Sequence, residues 1–80
     1  MKLKPVATEK AVKMIDVENT LLFETDRRSR KEEITKQIES LFEVKVYSIR
    51  TLTRKNRKYA YVRLAKPHLA ANLATKLGMI

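Results

Sequence analysis

The residues with most chemistry to offer sit in one short run, Arg54-Lys55-Asn56-Arg57-Lys58, where four of five side chains are cations. Such a cluster does nothing for a core, because like charges repel and each is costly to desolvate. What it can do is meet several negative charges along a polymer, as lysine and arginine do on a phosphate backbone. The residues around it extend the idea. Arg50 lies upstream, and downstream Tyr59, Tyr61 and Arg63 alternate with Ala60, Val62 and Leu64. In a strand this alternation puts two rings and a guanidinium on one side and a core-facing row on the other. Rings stack on bases or pack on sugars while cations engage phosphates. The same row would equally serve as the outer face of an ordinary half-buried sheet.

A second cluster, Arg27-Arg28 and Arg30-Lys31, flanks the expected start of a helix. Backbone N–H groups at a helix start favour anions, so these cations could join them on a phosphate. Asp26, Glu32 and Glu33 are close enough in sequence to pair with the same side chains, so surface ion pairing competes with that role.

Catalytic chemistry has little to work with. The chain's one glycine, Gly78, excludes a P-loop or a dinucleotide fingerprint, both of which need glycine where backbone approaches phosphate. His68 has no acid in its half of the chain after Glu43 to orient it as a base. Glu32 and Glu33 are neighbours at a helix start, where they face different ways and favour the macrodipole. With no cysteine there is neither a disulfide framework nor a thiolate metal site. No enzyme, metal site or cofactor is expected.

Net charge is +9, and its distribution is uneven. Residues 1–40 hold nine Lys/Arg and eight Asp/Glu, whereas residues 41–80 hold nine Lys/Arg and one acid, Glu43. A surface built only for solubility would mix the signs. The long acid-free basic stretch after Glu43 instead makes a field suited to a polyanion, with nucleic acid the leading candidate. The more balanced first half suits a protein partner, with Thr8, Glu9 and Lys10 as the candidate docking residues. Apolar runs are too short to span a bilayer and no signal core follows the N-terminal lysines, so membrane insertion is not expected and a cytosolic protein is.

The elements that must position these groups are legible in outline. One domain is expected over residues 1–80, without repeats or linkers. Lys4-Pro5 favours a short strand at best over residues 2–6. Thr8 can cap a helix over residues 9–15. Residues 19–26 alternate as a strand, with Leu21, Phe23 and Thr25 on one face. Ser29 and Glu32 have capping-box spacing, and Ile34, Ile38, Leu41 and Phe42 behind them mark one face of a helix. Val44 to Thr53 is β-branched, but Val46, Ile49 and Leu52 cannot share a face without a bulge. Residues 59–65 form the next strand, joined to it by a hairpin connection over Arg54–Lys58. Pro67 suits a first helical position, Leu69, Leu73 and Leu77 form a stripe, and Gly78 can end the helix. The fold class is α+β: an antiparallel sheet of three main strands plus a short N-terminal one, flanked by helices, in the order (β)-α-β-α-β-β-α.

Two resemblances bear on function. Arg57 to Leu64 is similar to the signature octamer of RNA-recognition motifs, agreeing at Arg57, Tyr59, Ala60 and Val62. It departs at Lys58 and Leu64, and the glycine of the signature is missing. A free RNA-binding module of that type is therefore the alternative reading. Over essentially the whole chain, the sequence resembles the archaeal branch of the large-subunit ribosomal protein family L twenty-three. The carrying residues are Pro5-Val-Ala-Thr-Glu-Lys-Ala11, Asn19-Thr-Leu-Leu-Phe23, Leu41-Phe-Glu-Val-Lys-Val46, Thr51-Leu52, Lys58-Tyr-Ala-Tyr-Val-Arg-Leu64 and Leu77-Gly-Met-Ile80.

This resemblance implies a ribosome-bound cytoplasmic protein that binds large-subunit rRNA beside the polypeptide exit tunnel. It implies a neighbouring ribosomal protein, L twenty-nine, and a docking surface for the signal recognition particle and the translocon. In bacterial relatives a glutamate of the Ser/Thr-Glu-Lys motif docks a chaperone, and Glu9 matches it here. Bacterial relatives also carry a long tunnel extension between the last two strands, which the short Arg54–Lys58 connection does not carry over.

Overall fold

A computed structural model describes residues 3–78. Within them the chain runs β1 (Leu3–Pro5), α1 (Glu9–Glu18), β2 (Thr20–Thr25), α2 (Lys31–Phe42), β3 (Val46–Arg54), β4 (Arg57–Leu64) and α3 (Ala70–Lys76). The four strands form one antiparallel sheet in the order β1-β2-β4-β3. This is the expected α+β architecture and element order. The expected N-terminal strand is β1; residue 2 lies outside the described residues, as do residues 79 and 80 of the C-terminal motif.

The sheet is buried on one side, and alternation decides which. Leu21 and Phe23 of β2 lie beside Val62 and Ala60 of β4, and all four are fully or almost fully buried. Ile34 and Ile38 of α2, Ile15 of α1 and Ala70, Leu73 and Ala74 of α3 complete this core. The expected bulge in β3 falls between Val46 and Ser48. Beyond it Ile49 returns to the core side opposite Val62, while Leu52 stays on the outer side opposite Tyr59.

Several boundaries differ from expectation, each for a local reason. Thr8 does cap α1, its Oγ1 accepting from the Ala11 N–H at 3.2 Å, but the helix continues to Glu18. It ends where Asn19 turns left-handed, with φ 52°. The cap of α2 shifts by one residue. Ser29 is buried and its Oγ accepts from the Thr25 hydroxyl at 3.2 Å, so Arg30 takes the cap position and its N–H donates to the Glu33 carboxylate at 3.1 Å. The buried row of α2 follows every fourth residue from Ile34 through Ile38 to Phe42, whose ring stacks 6.4 Å from Phe23. Leu41 falls one position off that row and is 60% exposed.

Pro67 does not open the last helix; α3 begins at Ala70, and Leu69 is its exposed cap residue. The start is set from a distance by Asn19. Its Oδ1 accepts from the Ala70 N–H at 2.6 Å, and its Nδ2 donates to the carbonyls of Leu64 and His68 at 3.1 and 2.9 Å. One asparagine thus closes α1, fastens the end of β4 and opens α3. Gly78, at φ 73°, follows the last turn as expected.

Candidate nucleic-acid interface

The outer side of the sheet is built by the residues that alternation leaves away from the core. On β4 these are Arg57, Tyr59, Tyr61 and Arg63, and their partners across β3 are Arg54, Leu52, Arg50 and Ser48. Leu22 and Glu24 of β2 lie on the other flank, beside Tyr61 and Tyr59. Cross-strand neighbours on one face sit close enough for side chains to touch. The Arg50 guanidinium lies 5.5 Å from the Tyr61 ring centroid, and that of Arg63 lies 5.2 Å from Tyr47. Each such contact contributes about 0.5–1 kcal/mol and holds a cation over a ring.

The expected five-residue connection is tighter than the sequence indicates. Arg54 pairs with Arg57, so only Lys55 and Asn56 form the turn. Both take positive φ, 50° and 63°, the pair of signs that a type I′ hairpin needs. Arg54 and Arg57 therefore belong to strands, and the tip exposes Lys55 and Asn56. Arg57 Nη1 stands 3.8 Å from Glu24 Oε1, a loose pair with a largely exposed guanidinium, which leaves that cation open to a stronger acceptor.

Lys58 has a different position. It lies on the core side of β4, opposite Thr25, and its ammonium donates to the Ser29 carbonyl. That bond ties the hairpin to the turn carrying Arg27 and Arg28, and to Arg30 and Lys31 at the start of α2, all four of them exposed. Two clusters far apart in sequence are thereby linked through one hydrogen bond at the base of the hairpin.

Three adjoining hollows open on the outer face, and Tyr61 lines all of them. One, of about 380 Å3, lies between Arg50, Leu52 and Tyr61 and the α1 side chains Lys10, Met14 and Glu18. A larger one, of about 560 Å3, has Leu22, Leu52, Tyr59 and Tyr61 together with Arg54, Lys55 and Arg57. Across the three, six cations (Lys10, Arg50, Arg54, Lys55, Arg57 and Arg63) face one lining carboxylate, Glu18.

Of the N-terminal candidates, Thr8 is engaged in its cap, and it and Lys10 line these same hollows; Glu9 is exposed in the first turn of α1. The division into an RNA half and a protein half, natural in sequence, is thus not a division in space. Leu22, Leu52 and Met14 were not singled out by sequence reasoning. The i, i+2 run Arg50-Leu52-Arg54 could have flagged Leu52, had the bulge not left its face ambiguous.

Among the described residues no helix is long and apolar enough to cross a membrane. What fold and surface define is a small sheet domain with one face given to its core and the other to basic and aromatic side chains. The sequence profile of the family described as ribosomal protein L23 matches residues 1–68. The large ribosomal subunit protein uL23 of Methanothermobacter thermautotrophicus is 42% identical over 78 residues, covering 96% of this chain and 91% of that protein. The protein of the same name from Cyberlindnera jadinii is 42% identical over 77 residues, covering 95% of this chain but 54% of its own length. The chain belongs to the ribosomal protein L23 family. It is a structural component of the large subunit of the cytoplasmic ribosome and not an enzyme. That membership sets aside the free module of RNA-recognition type.

Proposed function

We propose that this chain binds large-subunit rRNA beside the polypeptide exit tunnel through the outer face of its sheet and its hairpin. The observation that carries the reading is the six-cation face of Lys10, Arg50, Arg54, Lys55, Arg57 and Arg63, in which tyrosines lie between the charges. Arg27, Arg28, Arg30 and Lys31 extend the contact around the base of the hairpin. The cations neutralise phosphates and set register, while Tyr59 and Tyr61 pack on sugar or base. Lys58 serves this contact indirectly, by holding the two clusters together.

Replacing Arg54, Lys55 and Arg57 with alanine lowers affinity for large-subunit rRNA by about 100-fold near 0.15 M salt and makes the salt dependence shallower by about three. Filter binding across a salt series measures both. An unchanged affinity and slope would place the RNA contact elsewhere. Consistent with an assembled component, the wild-type chain is expected to stay with large subunits through a high-salt wash and sedimentation.

A second contact is proposed at the exposed Glu9 in the first turn of α1, where the family resemblance implies docking of nascent-chain factors, the signal recognition particle and the translocon among them. Ribosomal protein L twenty-nine is the proposed protein neighbour. Charge reversal by Glu9→Lys is expected to reduce factor recruitment to purified ribosomes; recruitment at the wild-type level removes Glu9 from that role.

A further inference from the structure

From the same outer face we infer that the largest hollow is a receptor for one unpaired nucleotide, extruded from the RNA, rather than a seat for a regular helix. The inference rests on the RNA-binding reading above and names what that site accepts. The hollow measures about 560 Å3 and combines two kinds of wall. Val6, Leu22, Leu52, Tyr59 and Tyr61 make an apolar and aromatic floor, and Arg54, Lys55 and Arg57 stand together at the hairpin side. Leu52 is 45% exposed there, on the outer side of the sheet, where it supports no core.

A paired helix presents phosphates and sugar edges and has no use for an apolar cup. It would be served by the cations alone. A flat apolar body with an anion attached needs both walls at once, and a nucleotide pulled out of its stack has that form. Its base lies against Tyr59 and Leu52, and its phosphates meet Arg54, Lys55 and Arg57. The surplus of positive charge argues against an apolar protein segment as occupant, since nothing in such a segment would neutralise the three cations. Tyr61 carries the Arg50 guanidinium over its ring, so Tyr59 is the stacking residue and Tyr61 a side wall.

The experiment compares two RNA duplexes, one fully paired and one with a single bulged nucleotide that is 2-aminopurine, each with this chain and its Tyr59→Leu variant. The bulged duplex is expected to bind about 10-fold more tightly than the paired one, with quenching of the 2-aminopurine emission. Tyr59→Leu keeps an apolar side chain on an outer strand position. It is expected to abolish most of that preference while leaving the salt slope, which the cations set, unchanged. Circular dichroism melting checks that the variant is folded. Equal affinity for both duplexes, with normal salt dependence, overturns the nucleotide receptor but spares RNA binding. Failure to bind either duplex at low salt overturns the RNA reading and the receptor with it. In assembled large subunits, a photoreactive side chain at Leu52 is expected to crosslink to RNA; a crosslink to a neighbouring protein overturns the receptor.

Discussion

The two faces of the sheet are made from the same strands and differ in almost everything else. On β4, Ala60, Val62 and Leu64 are buried, while Tyr59, Tyr61 and Arg63, the residues between and beside them, point the other way. The inner face gains its free energy by leaving water, roughly in proportion to apolar area. The outer face keeps six cations that would be costly to bury and that outnumber the two carboxylates beside them, Glu18 and Glu24. One face is complete within the chain and the other is complete only with a partner. A small domain with such a face is stabilised by whatever binds its folded form.

Three variants test how separate the faces are. The largest effect is expected from Ile38→Ala, which leaves a cavity in the core and costs about 2–5 kcal/mol of stability by denaturant unfolding. Under conditions where the variant is folded, its RNA affinity and salt slope are expected to match the wild type. A changed slope would mean that the core shapes the outer face more directly than the architecture implies.

Next comes Lys58→Met, which keeps the stem but removes the hydrogen bond to the Ser29 carbonyl. The expected stability cost is about 1.5–2 kcal/mol, the lower part of the range for charged hydrogen bonds because the residue is only half-buried. Its more informative consequence is on coupling. In the wild-type background, alanine substitutions in the Arg27-Arg28 and Arg54-Lys55 pairs are expected to act non-additively on RNA binding; with Lys58→Met they become additive. Additivity in both backgrounds would show that the two clusters act independently.

The smallest effect is expected at the hairpin tip. Lys55 holds a left-handed conformation that asparagine and glycine adopt at less cost. The double substitution Lys55→Asn with Asn56→Gly is expected to raise stability by about 1 kcal/mol and to make the salt dependence of RNA binding shallower by about one. A gain in stability without loss of slope would mean that the tip cation is not in the RNA contact.

How much of this was legible beforehand varies with the range of the interaction. The strand at Tyr59–Leu64, the buried row from Ile34 to Ile38 and the Thr8 cap were readable because period and capping act within a few residues. The bulge in β3 was readable as a necessity, since its apolar residues could not share one face, but its placement at Val46/Ser48 was not. The α2 cap falls one residue later than the capping-box spacing predicts because Ser29 is held by Thr25 across a turn, a bond that sequence spacing does not display. The onset of α3 is hidden from sequence spacing for the same kind of reason: Asn19, fifty-one positions away, supplies the acceptor for Ala70.

The basic hairpin, the tyrosine row and the acid-free stretch after Glu43 were determined by sequence alone, because charge and side-chain alternation belong to the local chain. Which of those cations share a surface was decided only by tertiary structure. Antiparallel pairing sets Arg50, Arg54, Arg57 and Arg63 around Tyr59 and Tyr61, and α1 brings Lys10 to the same face. Lys58, one residue from Arg57, turns inward because its position falls on the other side of the pleat. The composition points to a polyanion; register and packing decide which cations share the outer face proposed to meet it.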